Sequence, residues 1–342
     1  MTSRERIRAV LDFQPPDLVG LEIHPSTAGL YEHGERLQRL LQGFPHDFGD
    51  FSNLALPTVN PDAIQPDGSY CETRTDAWGI TWKHYIFGAW GIPEARPLDD
   101  WTNLDHWQPP APPSPSGPDC DAARANAAAH KQKYYLKAGW GGFFEQMHSL
   151  RRFEDVLMEI ALNTREINRL ADMLVEHESA CLGWALGLQP DGIGLGADFG
   201  TQEALLLSRD QWRRFFRPRY EKLLAPVREQ GCDIFFHSCG QISELLPDLA
   251  DLGINAIWPQ INLYDWPTLA RRCRELKLAL ALHPERSHVM TSGTPEQVRR
   301  HVDDLATAFV PQEGGSWFYL EIDNGFPWEN IEALFEAVAR YR

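Results

Sequence analysis

Long uncharged apolar runs are missing from this 342-residue chain, so it is read without a membrane-spanning helix. Cysteine is scarce. The six cysteines, at positions 71, 120, 181, 232, 239 and 273, show no repeated spacing, which fits reduced thiols and not a disulfide framework. Basic residues are outnumbered, 32 Lys and Arg against 48 Asp and Glu, and the net charge of −16 excludes a general nucleic-acid binder, which needs a basic face for phosphates. No glycine-rich GxGxxG or GxxxxGK[ST] element opens a helix, which counts against dinucleotide and P-loop sites. The charged opening from Met1 to Arg8 reads as a helix start and not a secretory leader, so a cytoplasmic protein is expected.

What is present is a composition suited to a large core, 43% hydrophobic and 23% charged. Short apolar runs alternate with amphipathic segments along the chain. A strand at 17–24 precedes a helix at 31–41, and Asp47 to Asp50 marks a second short strand. Residues 51–132 are irregular and rich in Trp, Pro, Gly and Tyr, with a strand pair expected at 75–82 and 87–88. Further strands are expected at 134–138, 191–198, 233–237, 255–258, 278–283 and 316–322. The spacing predicts helices capped by Asn163, by the Ser208/Gln211 and Thr294/Gln297 boxes, and by Asp265, plus a helix from Gln241 to Leu252. Eight strand-then-helix units predict a closed (β/α)8 TIM barrel, one domain over 1–342, with 51–132 as a long aromatic-rich insertion after the second strand that covers the barrel mouth.

Chemistry in such barrels sits at the C-terminal strand ends. His24, Asp198, His237, Cys239, His283, Glu321 and Asp323 all fall there. The segment Asp233-Ile-Phe-Phe-His-Ser-Cys-Gly240 stands out. Its His237 and Cys239 are two residues apart and point to one side if the extended geometry persists. Imidazole and thiolate suit zinc, and a catalytic zinc needs one or two further ligands and an open position. A hydrogen-bonded loop histidine beside a small buried thiol is the plainer reading of the same residues.

Five stretches then carry a resemblance. The run Gly194-Leu-Gly-Ala-Asp198-Phe-Gly-Thr-Gln202, the helix from Trp212 to Tyr220, His237-Ser-Cys239-Gly240 with Leu246-Pro-Asp-Leu249, Gly293-Thr-Pro-Glu-Gln-Val298, and Pro327-Trp-Glu-Asn-Ile331 resemble the uroporphyrinogen decarboxylase superfamily. Its true decarboxylases carry an arginine-rich segment after the first strand, where this chain reads His24-Pro-Ser-Thr-Ala-Gly29. Its zinc-dependent methyltransferases carry His-x-Cys at the fifth strand and a further cysteine near the eighth. Here the first part is His237 and Cys239, while the eighth strand offers Glu321 and Asp323 in place of cysteine. The resemblance therefore implies a zinc-dependent methyltransferase that moves a methyl group between a small substrate, such as a methyl ether, and a corrinoid protein, with a homodimer as the expected assembly. It implies His237 and Cys239 as metal ligands with Glu321 as the favoured third, a place that Asp198 or His24 could fill instead. Asp198, Asp323 and His24 are otherwise the catalytic or orienting groups, and Glu22, Trp78, Trp140, Gln202 and His283 the substrate contacts. A metal-free decarboxylase of a porphyrinogen-like acid and a non-catalytic ligand- or corrinoid-binding barrel are the competing expectations.

Overall fold

The computed structural model describes residues 1–342. Its strands are β1 (Leu21–Pro25), β2 (Glu72–Thr75), β3 (Thr81–His84), β4 (Ile92–Ala95), β5 (Lys137–Gly141), β6 (Gly192–Gly196), β7 (Asp233–Ser238), β8 (Ala256–Pro259), β9 (Ala279–Leu282) and β10 (Ser316–Ile322). Seven of them form a curled parallel sheet in the order β1-β10-β9-β8-β7-β6-β5, and β2-β3-β4 form a separate antiparallel sheet. Parallel neighbours need crossover connections, and helices supply them. Arg165–Leu186 leads into β6, Arg217–Glu229 into β7, Trp266–Leu276 into β9 and Pro295–Phe309 into β10. The sheet strands are apolar because helices cover one face and the curled interior the other. β6 and β9 are buried along their whole length.

The eighth strand expected at Asp47 to Asp50 does not form. Residues 46–49 make only an isolated bridge between His46 and Gly49. Asp47 nevertheless spans the gap between β1 and β5: its N–H donates to the Leu21 carbonyl at 2.9 Å and its carbonyl accepts from the Tyr135 N–H at 3.0 Å. The reason lies in its side chain, which is 0% exposed. A buried carboxylate must have its charge and lone pairs matched. Asp47 accepts from Arg6 Nη1 at 2.5 Å, Arg342 Nη1 at 2.7 Å and the Leu21 N–H at 2.9 Å, and this local geometry replaces a regular ladder. Residues 51–132 accordingly follow the first strand of the sheet and not a second one.

Other boundaries moved for local reasons. Phe87 and Gly88 form a turn, and the partners of β3 are β2 and β4. The helix expected from Gln241 shortens to Leu246–Asp251, because Gln241 Oε1 accepts from the Ser243 N–H and Oγ and holds a turn there. Pro218 opens a new helix, so the segment after Ser208 splits into Arg209–Phe215 and Arg217–Glu229. Thr164 and not Asn163 caps Arg165–Leu186; Asn163 ends the preceding helix at φ 56. The capping boxes at Ser208/Gln211 and Thr294/Gln297 form as read.

Asp47 generates a stability prediction. Its replacement by Ala leaves the buried Arg6 with Asp17 alone and the half-buried Arg342 without a carboxylate, so Asp47→Ala should lower the unfolding free energy by about 3 kcal/mol in urea titration. A change within about 0.5 kcal/mol, the level of an ordinary surface substitution, contradicts this role.

Candidate metal centre at the strand ends

β6 and β7 pair in parallel with Gly196 opposite His237, and β7 and β8 pair with His237 opposite Trp258. The chain leaves β6 at Ala197 and leaves β7 at Ser238, so Asp198 and Cys239 emerge side by side. The Cys239 N–H donates to Asp198 Oδ1 at 2.7 Å. His237 Nε2 lies 3.4 Å from that same oxygen and 3.4 Å from Cys239 Sγ. One ligand atom from each of Asp198, His237 and Cys239 falls within 4.8 Å of the others.

Each group is held from behind. His237 Nδ1 donates to the Trp258 carbonyl at 2.8 Å, which puts the ring hydrogen on Nδ1 and turns Nε2 toward the cluster. The Asp198 N–H donates to Glu145 Oε1 at 2.7 Å, and Glu145 Oε2 accepts from His148 Nε2 at 2.7 Å. Gly240, at φ 81, lies so close to the main chain of Gly200 that a Cβ would approach it to 2.1 Å. The Tyr264 hydroxyl fastens the same loop, donating to the Gly240 carbonyl at 2.8 Å and accepting from the Ile242 N–H at 2.9 Å.

The electrostatics follow from this packing. Burial pulls the His237 imidazole down, but Asp198 and Cys239 outweigh it and push it up to about 10. Burial raises the Asp198 carboxyl, while His237 and the Cys239 N–H hold it below its ordinary value. A divalent cation would supply the positive charge that the proton supplies on His237.

His237 opens onto a small cavity inside the curled sheet, lined chiefly by Trp140, Phe235, Trp258, Trp317 and Tyr319. Gly196 lacks a Cβ where one would come within 2.9 Å of the Trp140 ring, which lets that ring lie over the strand. The Trp258 ring sits 4.2 Å from His237 and 4.1 Å from Tyr319, and Tyr319 stacks on His24 at 5.0 Å, so the rings form one continuous wall. Glu22 is the charged floor. It accepts from His24 Nε2 at 2.7 Å, from Trp317 Nε1 at 3.2 Å and from Lys137, whose Nζ also lies over the Phe235 ring. Burial would raise the Glu22 carboxyl, but Lys137 and His24 bring it down to about 2.

The remaining expected residues divide. Glu321 lies outside the ligand cluster: it accepts from His283 Nε2 at 3.2 Å and pairs with Arg286 Nη1 at 2.7 Å. Asp198 occupies the third place beside His237 and Cys239. Asp323 accepts from Ser26 Oγ at 2.8 Å and lies 3.4 Å from Arg286. Burial lowers His283 against the pull of Glu321. Gln202 is exposed on the loop after β6. Trp78 is not part of the cavity wall; its ring packs edge-on against His177 of Arg165–Leu186 at 4.9 Å and beside Trp107.

Sequence reasoning missed Lys137, Arg286, Trp258 and Tyr319 as site residues and gave Glu145 no role. For Tyr319 a signal existed, because it shares a strand face with Glu321 and Trp317. Lys137 and Arg286 gave none, since what makes them part of the site is a carboxylate on another strand.

Behind Trp140 lies Glu178, only 7% exposed, with Oε1 unpartnered and packed so tightly on Gly141 that a Cβ there would come within 1.9 Å. Burial pushes this carboxyl from 4.5 up to about 7. The folded chain therefore keeps a proton that the unfolded chain releases, and that contribution is present at low pH and lost as pH rises from about 4.5 to about 7. In urea titrations the stability of the wild type relative to Glu178→Gln should fall by about 3 kcal/mol across that window and stay level above it. Parallel pH profiles for the two proteins contradict the assignment.

A sequence model for the family described as uroporphyrinogen decarboxylase matches residues 87–341. Comparison with curated proteins returns no match. Among solved structures, a methyltransferase from Methanosarcina mazei superposes with a TM-score of 0.63 at 15% identity, covering 100% of this chain and 99% of that one. A B12-independent methionine synthase from Shewanella sp. W3-18-1 superposes with a TM-score of 0.46 at 11% identity, covering 92% of this chain and 85% of that one.

Proposed function

The chain belongs to the uroporphyrinogen decarboxylase family, and within it we propose a zinc-dependent methyltransferase that exchanges a methyl group between a small methylated substrate and a corrinoid protein. The observation that carries this reading is the convergence of Asp198, His237 and Cys239 at the edge of the cavity. A carboxylate oxygen, an imidazole nitrogen and a thiolate are a donor set suited to zinc, and three protein ligands leave the fourth position open, as catalytic zinc requires. The fold shared with the Methanosarcina mazei methyltransferase is consistent with it.

The bound zinc would act as a Lewis acid on the heteroatom that carries the methyl group. The chain's own residues do the rest. Trp258 keeps the His237 tautomer whose Nε2 faces the metal, and the Cys239 N–H fixes the Asp198 carboxylate. Trp140, Trp258 and Tyr319 exclude water around an apolar or aromatic methyl ether, while the Lys137–Glu22–His24 group offers hydrogen bonds at the floor. Asp323 and Arg286 orient the opposite rim through Ser26 and Glu321. The ring-lined interior next to His237 is narrow, so the corrinoid protein would meet the methyl group at the mouth. This reading takes the sheet as a (β/α)8 barrel closed through Asp47, residues 51–132 as a cover beside the mouth, and the enzyme as a cytoplasmic homodimer. Decarboxylation of a porphyrinogen is disfavoured because Lys137 at the floor and Arg286 at the rim are already matched by Glu22, Glu321 and Asp323. A polycarboxylate would find no free counter-charge there.

Elemental analysis tests the ligand set. The purified protein should carry about one zinc per chain, and the double variant His237→Ala, Cys239→Ser should carry none while its circular dichroism is unchanged. Asp198→Ala should weaken zinc binding by about 100-fold, and Glu321→Gln should leave it within a few-fold of wild type. Folded, metal-free wild type overturns the reading. Zinc retained by Asp198→Ala and lost by Glu321→Gln restores Glu321 as the ligand.

A further inference from the structure

The end of the sheet opposite the metal centre holds a feature that methyl transfer does not use. Between the helix Ser3–Leu11, the end of the helix Pro118–Lys131 and the turn before β6 lies an open cleft, lined by Thr2, Arg4, Lys131, Gln132, Lys133 and Gln189, with Ala128 at its side. Three of these residues are cations and none is acidic, in a chain whose net charge is −16. The others offer a hydroxyl and two amides.

Two of the cations, Arg4 and Lys131, are held in place from below. Asp191, 3% exposed, accepts from Arg4 through Nε at 3.0 Å and Nη2 at 2.6 Å, and from Arg8 Nη2 at 3.3 Å, with Lys131 Nζ 4.0 Å away. Its other hydrogen bond, from the Leu136 N–H at 3.0 Å, is spent on the main chain before β5. One buried carboxylate thus orients two of the cleft's cations, with Arg8 beside them, and three positive charges face its single negative one. Gln189, in left-handed conformation at φ 54, turns its carbonyl to Lys131 Nζ at 2.5 Å, which sets the direction of that side chain. Lys133 forms no ion pair, and Arg4 keeps Nη1 free. Nearby acids are engaged elsewhere: Glu5 caps its own helix through Thr2, Asp50 accepts from Tyr134 and Ser52, and Asp233 accepts from Tyr135.

We infer that this cleft binds a small phosphate-bearing anion, with Arg4, Lys131 and Lys133 as its charge contacts and Thr2, Gln132 and Gln189 as hydrogen-bonding partners. Phosphate oxygens match the arrangement because a tetrahedral dianion accepts from several directions at once, as converging ammonium, guanidinium and amide donors require. The site lies at the opposite strand ends from Asp198, His237 and Cys239, so occupancy of one is independent of the other.

Isothermal titration of the full chain with inorganic pyrophosphate, against a sodium chloride blank of equal ionic strength, tests the inference. A single saturable site with Kd of about 1 mM or tighter is expected. Lys133→Gln, whose residue supports no ion pair in the fold, should weaken it about tenfold at an unchanged thermal midpoint. The variant His237→Ala, Cys239→Ser should bind pyrophosphate as the wild type does, which separates this cleft from a metal-bound anion at the mouth. Absence of saturable binding, binding indifferent to Lys133→Gln, or binding lost in the metal-centre variant each overturns it.

Discussion

The hydrogen bond from the Cys239 N–H to the Asp198 carboxylate is the constraint on which the site depends. It ties the turn after β6 to the turn after β7 and so brings three ligand types, drawn from two strands, into one cluster. Parallel register does the first half of the work by setting Gly196 beside His237. The glycines do the other half. Gly200 and Gly240 pass too closely for any side chain, and Gly196 leaves the room that Trp140 takes. Such a preorganised set would need little rearrangement to take a metal, because Trp258 orients the imidazole and Glu145 the turn that carries Asp198; the cost left is the His237 proton, which a cation would have to displace.

The two ends of the sheet handle buried charge differently. At the end near the chain's first helix, Asp47 and Asp191 are carboxylates closed off by arginines and main-chain N–H groups, and they hold helices and strands together. Around the cavity, the floor pair Lys137–Glu22 and the rim pair Arg286–Glu321 leave ring faces and one polar cluster open. This division matches the general separation in barrel-like α/β folds of stability at one face and chemistry at the other. It also explains how a chain of charge −16 presents a neutral, aromatic cavity: the acids that reach it arrive with their partners.

Much of this was legible in one dimension. The apolar runs from β5 to β10 and the helices between them follow from periodicity, and the caps at Ser208, Asp265 and Thr294 mark helix starts at their true residues. His237, Cys239 and Asp198 were all placed at strand ends. Illegible was which carboxylate, Asp198 or Glu321, lies beside His237 and Cys239, because both end a strand and only the register shows that the end of β6 adjoins β7 while Glu321 adjoins β1. The strand expected at Asp47 failed for a related reason. Its local pattern is strand-like, but the charge on Asp47 is claimed by Arg6 and Arg342, which stand 41 and 295 residues away. Trp78 carried the same ambiguity, since an aromatic residue in a long segment packs equally well on a helix or into a cavity, and here it packs on His177.

Diffraction data from crystals grown with zinc, collected on both sides of the zinc absorption edge, test most directly whether a metal sits between Asp198, His237 and Cys239. The account predicts one strong anomalous peak within bonding distance of His237 Nε2, Cys239 Sγ and an Asp198 carboxylate oxygen, open toward the cavity lined by Trp140 and Trp258. A peak coordinated instead by His283 and Glu321, or no peak at either place in a fully folded chain, contradicts it.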